Sequence, residues 1–246
     1  MLVAAILIVA ACGGDGDSGD TVVTTTSSAP STTAPLVPLS TTNAPSAVPE
    51  DYEAFRAQPT ACGGTAPAAA EPEEYTAPDD LFLDPTEKLI ATINTSCGPI
   101  IVELDPSFAP ATVNSFVFLA RQGYFDGTVS HRILPGFVMQ AGDPTGTGRG
   151  GPGYVVPDEL PPGGFEYSRG VLAMANAGPN STGSQFFIML GDSGLPPLYS
   201  AYGIVIDGFE TLESLQAVPL GVSARGEESV PLETVYIESV VVEPAA

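Results

Sequence analysis

A single histidine, His131, stands beside Arg132 in a short β-rich run. One imidazole cannot build a multi-histidine metal site, and a Ser-His-Asp mechanism would have to use that ring. No GxSxG sequence occurs. The three cysteines, Cys12, Cys62 and Cys97, include no CxxC pair, which excludes a zinc ribbon or a thioredoxin-type motif. Gly146-Thr147-Gly148-Arg149-Gly150-Gly151 spells GxGxxG, but Pro152 and Gly153 follow it and no βαβ pattern surrounds it, so a dinucleotide site is not expected. Asp15, Asp17 and Asp20 lack the closing Glu of a calcium loop. No metal and no cofactor are implied. The 29 acidic against 7 basic residues, a formal net charge of −22, argue against nucleic acid or acidic lipid as a partner, because both require clustered Lys and Arg.

The elements that must position these residues begin near Glu87. Lys88 to Asn94 and Pro99 to Asp105 read as two strands joined through Ser96-Cys97-Gly98. In the next segment Val113, Phe116, Val117 and Ala120 form a helical stripe, with Pro110 suited to the first turn and Gly123 to the C-terminal end. Short β-like runs then recur between Gly and Pro: VSHRIL, FVMQAG, GVLAMANA, QFFIML and AYGIVID. A second helix is expected from Asp207, which with Glu210 has the form of a capping box and places Phe209, Leu212 and Leu215 on one side. TVYIESVVVE reads as the last strand. About eight short strands with two helices suit an all-β-dominated domain. The pattern alone leaves barrel and sandwich both open.

Upstream the texture differs. Leu2 to Ala11 is an apolar run of ten residues, too short for a bilayer span of roughly 20. It ends in Val9-Ala10-Ala11-Cys12, which resembles the lipobox of bacterial lipoproteins. That resemblance implies a leader over residues 1–11, acylation of Cys12 and a lipid anchor in the membrane. No Lys or Arg precedes the run, so the true start is expected upstream. Residues 12–48 are rich in Ser, Thr and Pro, with no period able to bury a face, and are expected to be a disordered tether. Residues 49–86 form an acidic segment next to the domain of residues 87–246. With Cys12 acylated, Cys62 and Cys97 remain. Outside the cytoplasm they are expected to pair, two separate thiols being the alternative.

Phe125-Asp126-Gly127-Thr128-Val129-Ser130-His131-Arg132-Ile133-Leu134-Pro135-Gly136-Phe137-Val138-Met139-Gln140 resembles the signature of the cyclophilin-type peptidyl-prolyl cis-trans isomerases. So does Leu172-Ala173-Met174-Ala175-Asn176-Ala177-Gly178-Pro179-Asn180-Ser181-Thr182-Gly183-Ser184-Gln185-Phe186-Phe187, and Leu195 to Gly203 looks like a later family segment. The resemblance spans about residues 87–243. It implies a closed eight-stranded antiparallel barrel capped by two helices, with the groove on its outer surface. It further implies rotation about X–Pro bonds of polypeptide substrates, by a monomer. Arg132 matches the donor to the prolyl nitrogen, Phe137 a wall of the proline pocket and Gln140 a polar position that holds substrate backbone. Val138, Phe187 and Leu195 match walls of the proline pocket. Ala175 matches the groove floor, and Asn176 a polar position that holds substrate backbone. His131 is expected to be structural. Two positions depart from the pattern: Gly194 stands where many members have tryptophan, implying weak sensitivity to cyclosporin, and Tyr199 where many have histidine. Without the resemblance, Arg132 reads as an ordinary surface or ion-paired charge, and the apolar residues as core.

Overall fold

The computed structural model describes residues 47–71 and 73–245. Cys12, the apolar leader and the tether up to residue 46 lie outside the described residues.

The barrel starts with an antiparallel hairpin, β1 (Leu89–Thr95) and β2 (Gly98–Leu104), with Thr95 opposite Gly98. Period-two alternation buries Leu89, Ala91, Ile93 and Thr95 and leaves their neighbours half-exposed. The two-residue connection needs a positive φ of 123° at Gly98, and a Cβ there would lie 2.7 Å from Thr211 Oγ1. Helix α2 (Pro110–Arg121) closes one end. Its N-cap residue, Ala109, has no side chain able to accept the first amides. Glu159 does so from a distant loop, accepting from Ala111 N at 3.0 Å and Thr112 N at 2.8 Å.

The remaining strands are β3 (Thr128–Val129), β4 (Arg132–Leu134), β5 (Val138–Ala141), β6 (Val171–Met174), β7 (Phe186–Met189), β8 (Ala201–Asp207) and β11 (Tyr236–Pro244). They pair in the order β3-β11-β1-β2-β8-β6-β7-β5-β4. The expected VSHRIL strand is thus split: β3 pairs with β11, β4 with β5, and only Ser130 and His131 lie between them. Because β3 and β4 are the two ends of the ladder, that link closes the sheet on itself. Ser130 stitches the seam, donating from N to Val235 O at 2.9 Å and from Oγ to Gln140 O at 2.9 Å. Taking β3 and β4 as one interrupted strand, the nine are the eight of a closed barrel. The interior is filled by aromatic rings, Phe116 touching Phe125, Phe186 and Tyr202 at centroid distances of 5.2, 5.8 and 5.3 Å.

Helix α3 (Phe209–Gln216) closes the other end but starts differently from the expected capping box. Strand β8 runs through Asp207, whose carboxylate accepts from Gly208 N at 2.8 Å, and Gly208 takes the N-cap place in left-handed geometry. A Cβ at Gly208 would lie 2.3 Å from Pro99 O, so close approach to β2 decides the residue. Leu212 and Leu215 are buried as expected. Phe209 is instead exposed, with the Arg169 guanidinium 5.4 Å from its ring centroid. Strands β9 (Leu220–Val222) and β10 (Glu228–Pro231), absent from the sequence reading, form a separate ribbon beside β4.

Residues 47–71 and 73–86 pack against the barrel at several anchors. Helix α1 (Tyr52–Arg56) is capped by Asp51, which accepts from Ala54 N at 2.9 Å. Phe55 is buried with Val129, Val230 and Tyr236. Tyr52 Oη donates to Gly127 O at 3.0 Å, and Tyr75 meets Phe118 edge-on at 5.1 Å. A Cys62–Cys97 disulfide joins this segment to the β1–β2 turn.

Candidate active site

Alternation gives strands β4, β5 and β7 one face inside the barrel and one outside. Ile133, Met139, Ala141, Phe186 and Ile188 point into the core, and the residues between them point outward. Register then aligns three outward residues across neighbouring strands: Arg132 opposite Gln140, and Gln140 opposite Phe187. Val138, Phe187, Ala173, Met189 and Tyr167 make a second apolar cluster on this face. Phe137, Ala175, Leu195 and Tyr199 pack on it while half-exposed. A cationic fork therefore stands in register beside a half-exposed apolar cluster.

Each wall has a local cause. Phe137 follows the tight Leu134–Phe137 turn, closed by Phe137 N donating to Leu134 O at 2.9 Å. Gly136 there has a φ of 72°, and Gly191 packs so near that a Cβ would lie 2.4 Å from Gly136 O. Phe187 and Tyr199 meet edge to face at 5.5 Å. Tyr199 is held through Tyr167, whose phenol donates to Tyr199 O at 2.7 Å and accepts from Tyr199 N at 3.1 Å. Asn176 Nδ2 donates to Leu198 O at 2.9 Å, so its amide ties the loop after β6 to the loop carrying Tyr199. Gly194 leaves the rim beside Leu195 open, for a Cβ there would meet nothing within 4 Å.

The polar side is a chain of hydrogen bonds. Gln185 Nε2 donates to Gly150 O at 2.9 Å, Gln140 Nε2 donates to Gln185 Oε1 at 2.9 Å, and Arg132 Nη1 approaches Gln140 Oε1 at 3.5 Å. Arg132 also makes a bidentate ion pair with Glu227, Nε to Oε2 at 2.7 Å and Nη2 to Oε1 at 2.8 Å. The guanidinium holds the Glu227 carboxyl below its ordinary range. The structure thus brings Arg132, Phe137, Val138, Gln140, Ala175, Phe187, Leu195 and Tyr199 to one face, with Asn176 at its edge.

Three neighbours went unread. Gln185 lies two residues before Phe187, and alternation alone could have placed it on the same face. Tyr167 and Glu227 carry no local signal, since each reaches the site only through folding.

His131 is buried, and its Nδ1 finds no hydrogen-bond partner among the described residues. Desolvation pushes its pKa down to about 4, opposed by the Asp143 carboxylate and reinforced by Arg132. It is a neutral packing residue at neutral pH. Its pKa is lower folded than unfolded, so the unfolded chain binds the extra proton between about pH 6.5 and 4. Stability present above this window is lost as pH falls through it, by on the order of 2–3 kcal/mol. Denaturant unfolding at pH 7 and pH 4 checks this: His131→Gln should lose less stability on acidification than the parent, and equal losses would refute it.

Comparison with known proteins decides the lineage of this arrangement. Residues 90–242 match the family model described as cyclophilin type peptidyl-prolyl cis-trans isomerase/CLD. The chain belongs to the cyclophilin-type peptidyl-prolyl cis-trans isomerase family. It is 41% identical over 175 residues to a probable peptidyl-prolyl cis-trans isomerase B of Mycobacterium tuberculosis, covering 65% of this chain and 56% of that one. It is 43% identical over 149 residues to a peptidyl-prolyl cis-trans isomerase-like 1 of Gibberella zeae, covering 59% of this chain and 89% of that one. The chain therefore spans little more than half of the mycobacterial relative and most of the fungal one. A crystal structure of a Cryptosporidium parvum cyclophilin type isomerase aligns at a TM-score of 0.57 with 37% identity, over 65% of this chain and 99% of that one. The same parasite protein in the presence of the dipeptide Ala-Pro aligns at 0.56, with 38% identity, over 63% and 98%. As the sequence implied, the barrel is the cyclophilin one.

Proposed function

We propose that this cyclophilin catalyses cis-trans rotation about X–Pro bonds in polypeptides. The observation that carries the reading is Arg132 and Gln140 standing in one cross-strand row with Phe187, beside a half-exposed cluster of apolar side chains. Planar imides resist rotation by roughly 18–20 kcal/mol because the nitrogen lone pair is delocalised. Twisting localises that pair, and a guanidinium donor aimed at the nitrogen stabilises the twisted form more than either planar one. No bond breaks and no proton has to leave, which suits a site whose only imidazole is buried and neutral. Phe137, Val138, Phe187 and Leu195 grip the ring, Tyr199 and Ala175 shape the groove beside it, and Gln140 and Asn176 hold backbone. The relative seen with Ala-Pro supports a proline-containing ligand for this face.

The lipobox-like Val9-Ala10-Ala11-Cys12 supports a bacterial envelope location, with lipid on Cys12 anchoring a monomer that acts on folding proteins outside the cytoplasm. The Cys62–Cys97 disulfide suits an oxidising compartment. Steady-state isomerisation of an Ala-Pro-containing peptide by the full chain tests the activity. A rate well above the uncatalysed one is expected. A background rate with the peptide still bound would make the domain a holder of proline segments rather than an enzyme.

A further inference from the structure

We propose that Glu227 is the positioning residue of Arg132, holding its guanidinium in the working orientation before substrate arrives; this rests on the isomerase reading above. Arginine is long and flexible, and a donor must be aimed within a few tenths of an ångström to act on one nitrogen. Nothing on β4 itself can aim it. Gln140 is its neighbour across the ladder, but that contact, at 3.5 Å, is too long to fix a rotamer. Glu227, 95 residues downstream, takes the Nε–Nη2 edge with two bonds of 2.7 and 2.8 Å. It leaves Nη1 turned toward Gln140, the side on which Phe187 lies in register.

The carboxylate is itself mounted on a stiff support. The turn between β9 and β10 is closed by Ser223 N donating to Glu227 O at 2.8 Å and Gly226 N donating to Ser223 O at 2.8 Å. Ser223 Oγ accepts from Glu227 N at 3.2 Å, and Gly226 adopts a φ of 82° that favours glycine. The Arg132 and Glu227 side chains are 30% and 39% exposed. Exposed pairs add little to stability, and a two-pronged carboxylate–guanidinium fork is the geometry in which orientation is what is gained. The ribbon thus has a use that the barrel alone does not supply: it brings an acid to the outer face of β4, where its carboxylate pairs with Arg132.

Peptide isomerisation by the full chain tests this with Glu227→Gln, Glu227→Ala, Arg132→Ala and the Arg132→Ala/Glu227→Ala double variant. The expected result is a fall in kcat of about ten-fold in Glu227→Ala and a smaller fall in Glu227→Gln, with KM and Tm little changed. In the Arg132→Ala background, removing Glu227 should have no further effect. Turnover equal to or faster than the parent's in Glu227→Ala, or the same fall with and without Arg132, would overturn the proposal. The Arg132 Nε–H signal in nitrogen-edited NMR needs no turnover. It should be protected from exchange in the parent and lose protection in Glu227→Gln; unchanged protection would overturn the proposal as well. An inactive parent would instead sink the isomerase reading, leaving this signal to decide the ion pair.

Discussion

Arg132→Ala should lower kcat/KM for an X–Pro peptide by about 10²–10³-fold, the loss expected when a preorganised charged donor is removed from a developing charge. The apolar cluster of Phe137, Val138 and Phe187, to which the proposed function assigns the proline ring, stays in place, so KM should change far less than kcat. The fold should survive. Arg132 contributes to the sheet through its backbone, opposite Gln140, and the carboxylate it abandons is exposed enough to be solvated. Arg132→Lys should recover little of the loss, because an ammonium can neither span both Glu227 oxygens nor present a second, flat edge to the substrate. Peptide isomerisation measured beside circular dichroism checks both variants. A folded Arg132→Ala protein with kcat/KM within two-fold of the parent would remove the arginine from the mechanism.

What the sequence made legible follows from how locally each feature is determined. Arg132, Gln140 and Phe187 could be singled out before any coordinates through the family-like stretches around each, whereas their alignment in one row needs β5 to pair with both β4 and β7, which no local pattern reveals. Strand β8 was legible to the residue, because AYGIVID is bounded by a serine-ended loop and a glycine. The start of α3 was misread because its cause is not local. Asp207 and Glu210 have capping-box spacing, but Pro99 O, more than a hundred residues earlier, leaves room only for a glycine at the cap. The split of VSHRIL likewise reflects barrel closure, since Ser130 must bond to Val235 on one side and Gln140 on the other. Tyr167 and Glu227 belong to the same class: each is an ordinary residue in its own segment and gains meaning only across the fold. The packing of residues 47–86 was illegible for a further reason. A segment rich in Pro and Ala has no period of its own, and its few anchors, Phe55, Tyr52 and Tyr75, are fixed by partners on the barrel.

That segment also carries the largest expected effect on stability. Replacing both Cys62 and Cys97 by Ser should cost about 3–4 kcal/mol, the chain-entropy value for opening a loop closed across a separation of 35 residues. For a domain of this size that corresponds to a melting temperature lower by roughly 10 °C. The bridge anchors the middle of the segment to the β1–β2 turn. On one side of it, Phe55 fills the space against Val129 and Tyr236. On the other, Tyr75 covers Phe118 of α2. Thr234 Oγ1 also donates to Phe55 O at 2.5 Å and Ala61 N to Thr234 O at 3.0 Å, so the segment is hydrogen-bonded to the strand entry at Thr234 as well as cross-linked to the hairpin. Opening the disulfide should therefore loosen residues 57–70 first, leaving the Phe55 and Tyr75 contacts to hold the ends. Thermal melts of the parent with and without reductant, beside the double serine variant, measure the cost. Limited proteolysis should show new cleavage between those two anchors before the barrel is cut. Melting within about 2 °C of the parent, with unchanged cleavage, would mean that the packed side chains hold the segment without the covalent link.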